Sequence, residues 1–516
     1  MRVRLLLAVL ALVGCKKNTA ADAEPSMSAG ASASSGSSNH ATDSSGGSAA
    51  GTNRTAGDTR AGGAATNRTD GDTKAGGAGT NRNEGNDVRA STPATSGWAA
   101  SLALVRGKAS ATSVAIDSKN NAIVAIRFEH SITIGTETID GGEGGALLVK
   151  VPIEGGPIAW TKLLGKDRTV EYASVAVDSK DAVVLTATMR GTVDLGGGAL
   201  TSAGDKDILL AKLGSDGAHA WSKRFGGREP DRPTNVAVDA KDTIAVAGYY
   251  ADAVDFGGKK LTGKNSAEMF VARYTAQGKL VFANRISGGG ETQSELYDVA
   301  VDAKSNAIAI GAFSGKLDLG GKPLAGIAGK AIQTFVVVYT PTGSIAWSTA
   351  YAPGGMTMAN HLRVDKAGNL LLAGTDMTVP VDQNNMVAFD VASGAPTQGT
   401  MTSFIAQLGP DRKPRWTIAI ASLGMGDTVE HEIGDSGEIL VVGDAASAPF
   451  GDPALRDVKT FFARISPAGV LVSVAPIPNA SQITASPKLA TRGTTTVIVV
   501  QTGEGASQGL TLLRPE

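Results

Sequence analysis

The sequence predicts an all-β fold, a seven-bladed β-propeller of four strands per blade over residues 98–516, and three observations carry that prediction. One segment recurs about every sixty residues along most of the chain. Each copy holds apolar runs short enough for strands, separated by turn residues. The last copy stops one strand short, while a spare strand stands ahead of the first copy.

The repeat is plainest in its first two strands, A and B. Val114 to Ile126 reads VAIDSKNNAIVAI, Val175 to Ala187 VAVDSKDAVVLTA, Val236 to Gly248 VAVDAKDTIAVAG, Val299 to Gly311 VAVDAKSNAIAIG, and Leu362 to Gly374 LRVDKAGNLLLAG. Further copies start at Glu432 and Leu489. Each is an apolar run, a turn opened by Asp, and a second apolar run, which is a hairpin whose carboxylate can accept from the turn's own amides. Strand C follows as ALLVKV from Ala146, ILLAKL from Ile208, MFVARY from Met269, FVVVY from Phe335, FIAQL from Phe404, FFARI from Phe461 and LTLLR from Leu510. Strand D carries Trp160, Trp221, Phe282, Trp347, Trp416 or Val472. Strands A to C are apolar at consecutive positions, as expected where both faces of a sheet are covered. Blades stacked around an axis cover them in this way.

The termini settle the count. The copy beginning at Leu489 ends after its C strand, and WAASLALVRG from Trp98 is a D strand without a blade. Placing Trp98 beside the C-terminal strand closes the ring and removes exposed sheet edges. Seven of each strand type result.

Ahead of the propeller lie two other segments. Residues 1–14 carry Arg2 and Arg4 before an apolar run from Leu5 to Val13 that is too short to span a bilayer, which reads as an export signal. Leu12-Val13-Gly14-Cys15 resembles the lipobox of bacterial lipoproteins, which implies that Cys15 is acylated and becomes the mature N-terminus. Cys15 is the single cysteine of the chain, so no disulfide partner competes for it. Lys16 and Lys17 follow where the inner-membrane retention signal of such lipoproteins has Asp, so the resemblance points to the outer membrane or cell surface of a bacterium with two membranes. Residues 15–97 are Gly, Ala, Ser, Thr and Asn with scattered charge, including a repeat beginning at Thr52, Thr66 and Thr80, and are expected to be a disordered tether. A flexible chain of that length has an r.m.s. span of roughly 50 Å.

With 48 basic and 49 acidic residues, nothing favours nucleic acid as a partner. No P-loop, dinucleotide fingerprint, nucleophile elbow, zincin helix or EF-hand loop is found, and no organic cofactor is predicted. The Gly pairs Gly196-Gly197, Gly257-Gly258 and Gly320-Gly321 recur in the B to C connections as turn residues. The turn aspartates Asp117, Asp178, Asp239, Asp302, Asp365 and Asp435 read as turn caps, since a calcium loop would need several more oxygens. The Trp series reads as packing between blades.

One constellation remains. Counting four residues back from each turn Asp gives Ser113, Ser174, Asn235, Asp298, His361, His431 and, in the last copy, Lys488, all polar and all expected near the mouth of the central channel. Asp298, His361 and His431 come from successive blades, and two imidazoles with a carboxylate suit a transition metal ion. A wet channel mouth also accepts any polar residue, and no local ligand spacing supports the metal, so solvation alone accounts for the ring. The B to C segment of the fifth copy, Thr375 to Thr402, is longer than its counterparts and is a candidate recognition loop, or a neutral insertion.

ILLAKLGSDGAHAWSKRFGG followed by VAVDAKDTIAVAG resembles the SBBP repeat, a β-propeller repeat of bacterial exported proteins, over essentially all of 98–516. That resemblance implies no shared catalytic residues. Gly214 to Trp221 and Thr340 to Trp347 also resemble the repeat of quinoprotein-like propellers, including the lipoprotein scaffold of the outer-membrane β-barrel assembly machine. The expected function is a lipid-anchored, non-catalytic binding module for a protein or glycan. An outer-membrane assembly scaffold is the alternative, and a metal-dependent enzyme at the channel mouth ranks last.

Overall fold

The computed structural model describes residues 98–516 apart from 264–266, 289–293, 331, 353–355, 378–386, 391–394, 399–400, 424–428, 445–449, 451–457, 459, 479, 481–485, 504–507 and 516. The export signal, Cys15 and the tether lie outside the described residues.

Blade 1 comprises Ala109–Ile116, Asn121–Phe128, Gly145–Pro152 and Trp160–Gly165, as strands A to D, hydrogen-bonded in that order. Blade 2 repeats it with Val170–Val177, Val183–Met189, Asp207–Leu213 and His219–Phe225. Blade 3 is Arg232–Val238, Ile244–Tyr250, Glu268–Tyr274 and Leu280–Ile286, and blade 4 is Ser294–Val301, Ala307–Phe313, Gln333–Tyr339 and Ile345–Tyr351. Blade 5 is Met356–Val364, Leu370–Met377, Met401–Leu408 and Pro414–Leu423, and blade 6 is Val429–Ile433, Ile439–Asp444, Thr460–Ile465 and Leu471–Pro476. Blade 7 takes Lys488–Arg492, Thr495–Thr502 and Gly509–Pro515 from the C-terminal end and Trp98–Arg106 as its D strand. That last strand pairs antiparallel with strand C, Leu102 opposite Leu512 and Arg106 opposite Gly509. The A strand of blade 7 lies against that of blade 1, so the ring is closed.

The core is a set of layers between neighbouring blades, and the B strands show why their sequences are continuously apolar. In blade 1, Ala122, Val124 and Ile126 pack toward blade 7 while Ile123 and Ala125 pack toward blade 2. All five are at most 1% exposed. A residue pointing to either face meets a neighbour, so no position from Ala122 to Ile126 is released to water.

Two features recur with the blades. In blades 1, 2, 3, 4 and 5 the B to C connection folds back as a small hairpin, Ser131–Ile134 with Glu137–Asp140 in the first and Val387–Asp390 with Ala395–Gln398 in the fifth. The turn of the third such hairpin uses Gly257 and Gly258 at φ 93° and 116°, with the Asp255 carboxylate accepting both of their N–H groups at 2.9 and 2.8 Å. The Gly pairs are therefore turn residues, as their recurrence suggested. Most of the proposed recognition segment of the fifth copy lies outside the described residues.

The second feature is a one-residue β-bulge in the A strands of blades 1 to 5, between Ala111 and Ser113, Glu171 and Ser174, Pro233 and Asn235, Leu296 and Asp298, and Ala359 and His361. The sequence places A strands from Val114, Val175, Val236, Val299, Leu362, Glu432 and Leu489. The structure begins them earlier, at Ala109, Val170, Arg232, Ser294, Met356, Val429 and Lys488. In blades 1 to 5 the bulge interrupts the apolar pattern and hides the first half of the strand.

Candidate functional site

The A-to-B turns fix where the ring of polar residues falls. In blade 1 Asp117 Oδ1 accepts the N–H groups of Lys119 and Asn121 at 2.9 and 2.8 Å, and Oδ2 accepts Asn121 Nδ2 at 2.8 Å. Asp302 and Asp365 repeat that set with Asn306 and Asn369. Asp117 also meets Lys150 of strand C at 2.7 Å. Burial alone would raise the Asp117 carboxyl, but Lys150 and the turn's donors outweigh it and hold the group below its usual range.

Blade 6 departs from this. Its turn is headed by Gly434, whose N–H donates to Glu438 O at 2.9 Å as Asp365 N–H donates to Asn369 O at 3.0 Å. Asp435 stands one position later, 59% exposed in its side chain and paired with Lys366, and does not cap the turn. Counting back from the true start of the turn puts Glu430, not His431, at the ring register. Strand pairing agrees: Val364 opposes Leu370 in blade 5 and Ile433 opposes Ile439 in blade 6. His431 instead occupies the next register, where the other blades have Val114, Val175, Val236, Val299, Leu362 and Leu489.

The ring is therefore Ser113, Ser174, Asn235, Asp298, His361, Glu430 and Lys488. In blades 1 to 5 it lies within the A strands, just past the bulge, instead of where the strands start. Hydrogen bonds run along it from blade to blade. Ser113 Oγ accepts Val175 N–H at 3.2 Å, Ser174 Oγ donates to Asn235 Oδ1, and Asn235 Nδ2 donates to Asp298 Oδ1. Asp298 accepts Val299 N–H and Leu362 N–H, both at 2.8 Å, and meets Arg363 at 3.5 Å. His361 Nε2 lies 3.5 Å from Glu430 Oε1, and Glu430 pairs with Lys488 and accepts Leu489 N–H at 3.4 Å. Burial would raise the Glu430 carboxyl, yet Lys488 and His361 hold it well below the usual carboxylate range. Arg363 bridges onward to Glu432 at 2.7 Å.

Of the residues expected to face a metal, the structure brings His361 and His431 within 6.1 Å, centroid to centroid, at 68° between rings. Asp298 is 2% exposed, and its carboxylate is committed to Asn235, two backbone N–H groups and Arg363. His431 is fully buried, with Nε2 3.2 Å from Leu371 O; among the described residues neither its Nδ1 nor the buried Nδ1 of His361 has a hydrogen-bond partner. Among the described residues no group of three or more His, Cys, Asp and Glu side chains is arranged to hold a metal ion. Glu430, Arg363 and Glu432 escape a reading keyed to the turn Asp. Counting nine residues back from the B strand, ILVVG from Ile439 against LLLAG from Leu370, would have found Glu430.

The tryptophans join neighbouring blades. The indole N–H groups of Trp160, Trp221 and Trp416 donate to Ser215 O, Ala276 O and Pro467 O in the C-to-D turn of the following blade, at 3.0, 3.1 and 3.2 Å.

No family model matches the chain. An uncharacterized WD repeat-containing protein of Acanthamoeba polyphaga mimivirus is 21% identical over 192 residues, covering 31% of this chain and 14% of that protein. The chain thus spans a small part of that curated relative. Among solved structures, a protein of unknown function from Dyadobacter fermentans has TM-score 0.40 at 8% identity, covering 81% of this chain and 98% of that one. The WD40 β-propeller domain of Doa1 has TM-score 0.40 at 10% identity, covering 81% and 96%. Quinohemoprotein alcohol dehydrogenase from Comamonas testosteroni has TM-score 0.38 at 11% identity, covering 81% and 76%. The fold itself rests on the strand order: seven four-stranded blades in a closed ring, a β-propeller.

Proposed function

We propose that the chain is a lipid-anchored envelope protein of the SBBP-repeat kind, whose propeller is a non-catalytic interaction module. The observation supporting a binding role is the commitment of the channel residues to one another. Side chains that could line a reactive pore are used instead to tie blade to blade, so the surfaces offered to a partner are the two faces of the disc. The anchoring half rests on the sequence from Arg2 to Cys15.

Two experiments test the halves separately. Metabolic labelling with an alkyne fatty acid is expected to tag the wild type and not Cys15→Ala, with the variant leaving the membrane fraction. An unlabelled wild type would remove the anchor. A pull-down from membranes with the intact chain is expected to recover a protein or glycan partner through the propeller. Recovery of outer-membrane barrels would favour an assembly scaffold, and recovery of nothing above a denatured control would sink the binding reading.

The buried, unpartnered Nδ1 atoms of His361 and His431 favour a second reading, a metal ion between blades 5 and 6. Elemental analysis of the purified protein beside the His361→Ala, His431→Ala double variant decides it. Equal metal content in both would end the idea.

A further inference from the structure

The A strand of blade 2 breaks the pattern kept by its neighbours. Two positions before the ring residue, blades 1, 3, 4 and 5 carry Ala111, Pro233, Leu296 and Ala359, all buried. Blade 2 carries Tyr172 there, at φ 52° and 59% exposed. The following residue, Ala173, is buried at 4%, and its carbonyl accepts Thr112 Oγ1 at 2.6 Å. A bulky residue in the left-handed region is disfavoured, and such outliers gather at binding sites. His130, Asp167 and Arg168 at the same corner also have positive φ, of 53°, 50° and 59°.

Beside Tyr172 is a shallow depression lined by Arg127, Glu129, Glu143, Gly144, Arg168 and Glu171, among others. Its charges are unevenly used. Glu129 pairs with Lys108 at 2.7 Å and Glu171 with Lys206 at 3.0 Å. Arg127 and Arg168 form no ion pair among the described residues. The Arg127 guanidinium lies 5.5 Å from the centroid of the Tyr172 ring, with Nη1 3.4 Å from its hydroxyl, and leaves the ring largely open to solvent. The corner therefore offers an exposed aromatic ring, two guanidiniums that form no ion pair among the described residues although Glu129 stands near Arg127, and the Glu143 carboxylate, while Glu129 and Glu171 are taken by lysines.

A guanidinium fork matches a carboxylate, an aromatic ring accepts the apolar face of a pyranose, and a lone carboxylate accepts sugar hydroxyls. The depression is confined to one corner, whereas a peptide docks along an extended groove or strand edge. Resting on the binding-module reading above, we propose that this corner of blades 1 and 2 binds the carboxylated sugar unit of an acidic glycan. Tyr172 is the stacking platform, Arg127 and Arg168 hold the carboxylate, and Glu143 takes hydroxyls.

The test applies the full-length chain to an array of uronic-acid and sialic-acid glycans, their methyl esters, neutral glycans and a glutamate-rich peptide, followed by titration calorimetry on the best ligand. Acidic glycans should be retained and their esters bound at least about tenfold more weakly, the worth of one charge-assisted contact. Tyr172→Ala and Arg127→Ala should each weaken binding by a similar factor. Alanine at the φ of 52° stays in the left-handed region, so Tyr172→Ala removes the ring without relieving the backbone and should hold Tm within about 2 °C of wild type. Lost affinity in a variant of wild-type stability separates binding from misfolding. Retention of no acidic glycan, equal binding of acid and ester, preference for the peptide, or wild-type affinity in Tyr172→Ala would each overturn the proposal. A partner recovered equally by wild type and Tyr172→Ala would remove this site and leave the binding-module reading standing.

Discussion

At the scale of single residues, His431 is the position most out of keeping with its surroundings. It sits fully buried where six blades have Val or Leu, and burial, with Arg363 and His361 nearby, pushes its imidazole well below the usual histidine range. The folded chain therefore keeps His431 neutral under conditions in which the unfolded chain protonates it near pH 6.5. With the folded pKa depressed, stability is full above about pH 6.5 and declines as the pH falls from there toward the folded value. His431→Leu should retain the fold and flatten this decline, and by removing a buried unpartnered nitrogen should add about 1 kcal/mol at neutral pH. Urea midpoints of wild type and variant from pH 7.5 to 5 check this; parallel curves would mean that His431 plays no part in acid sensitivity. The opposite result is expected one register earlier in blade 4. Asp298→Ala leaves Asn235 and the N–H groups of Val299 and Leu362 without their acceptor inside the ring, a loss of about 2 to 4 kcal/mol measurable in the same titration.

At the scale of elements, the C-to-D turns and the D strands lock adjacent blades. Gly217, Gly278 and Gly469 have φ 80°, 75° and 82°, and each lies against the Trp ring of the preceding blade. A Cβ on Gly278 would stand 3.2 Å from Trp221 and 2.8 Å from Lys223 Cε, besides the strain of its positive φ. Gly278→Ala should cost about 1 to 2 kcal/mol, and Trp221→Phe about 1 kcal/mol through the lost bond to Ala276 O. Combining the two should cost less than the sum, because both act on one contact; full additivity in a double-mutant cycle would mean that turn and ring are not coupled. Elements of this kind were legible in the sequence because their constraint is local: a turn Asp, a Gly with positive φ and a run of apolar residues each mark themselves. The bulges were not legible. Thr112, Thr234, Tyr297 and Asn360 carry no residue type that demands an irregular strand, and the extra residue shows only against the partner strand. Glu430 was missed for a related reason, since Asp435 imitates a turn cap while Gly434 begins the turn. Tyr172 was passed over because exposure at a position buried in four other blades is decided by backbone direction, which no periodicity reports.

At the scale of the whole molecule, blade 7 is where the fold depends on both ends of the chain. Trp98–Arg106 supplies its outer strand, Leu104 and Val105 are 1% and 3% exposed in the layer shared with blade 1, and Trp98 lies 6.1 Å from Phe462 of blade 6. Gly107 N–H also donates to Gln508 O at 2.7 Å. Removing this strand would strip side chains from the layer between blades 7 and 1, loosen Trp98 from blade 6, and leave strand C of blade 7 as an open edge. A linear array would lose only its last unit to such a cut, because each repeat answers to its immediate neighbours. A closed ring transmits the loss in both directions, since blades 1 and 6 each lose packing and no terminal cap replaces it. Deleting residues 98–106 is therefore expected to lower Tm by more than 10 °C in one cooperative transition, several kcal/mol lost from the shared layers. Deleting residues 16–97, which the sequence marks as tether, should leave Tm unchanged. Hydrogen exchange distinguishes the two architectures: protection should fall in the B strands of every blade, Val183–Met189 and Ile308 to Ala312 included, whereas loss confined to residues 488–515 would show that closure does not govern the stability of the ring.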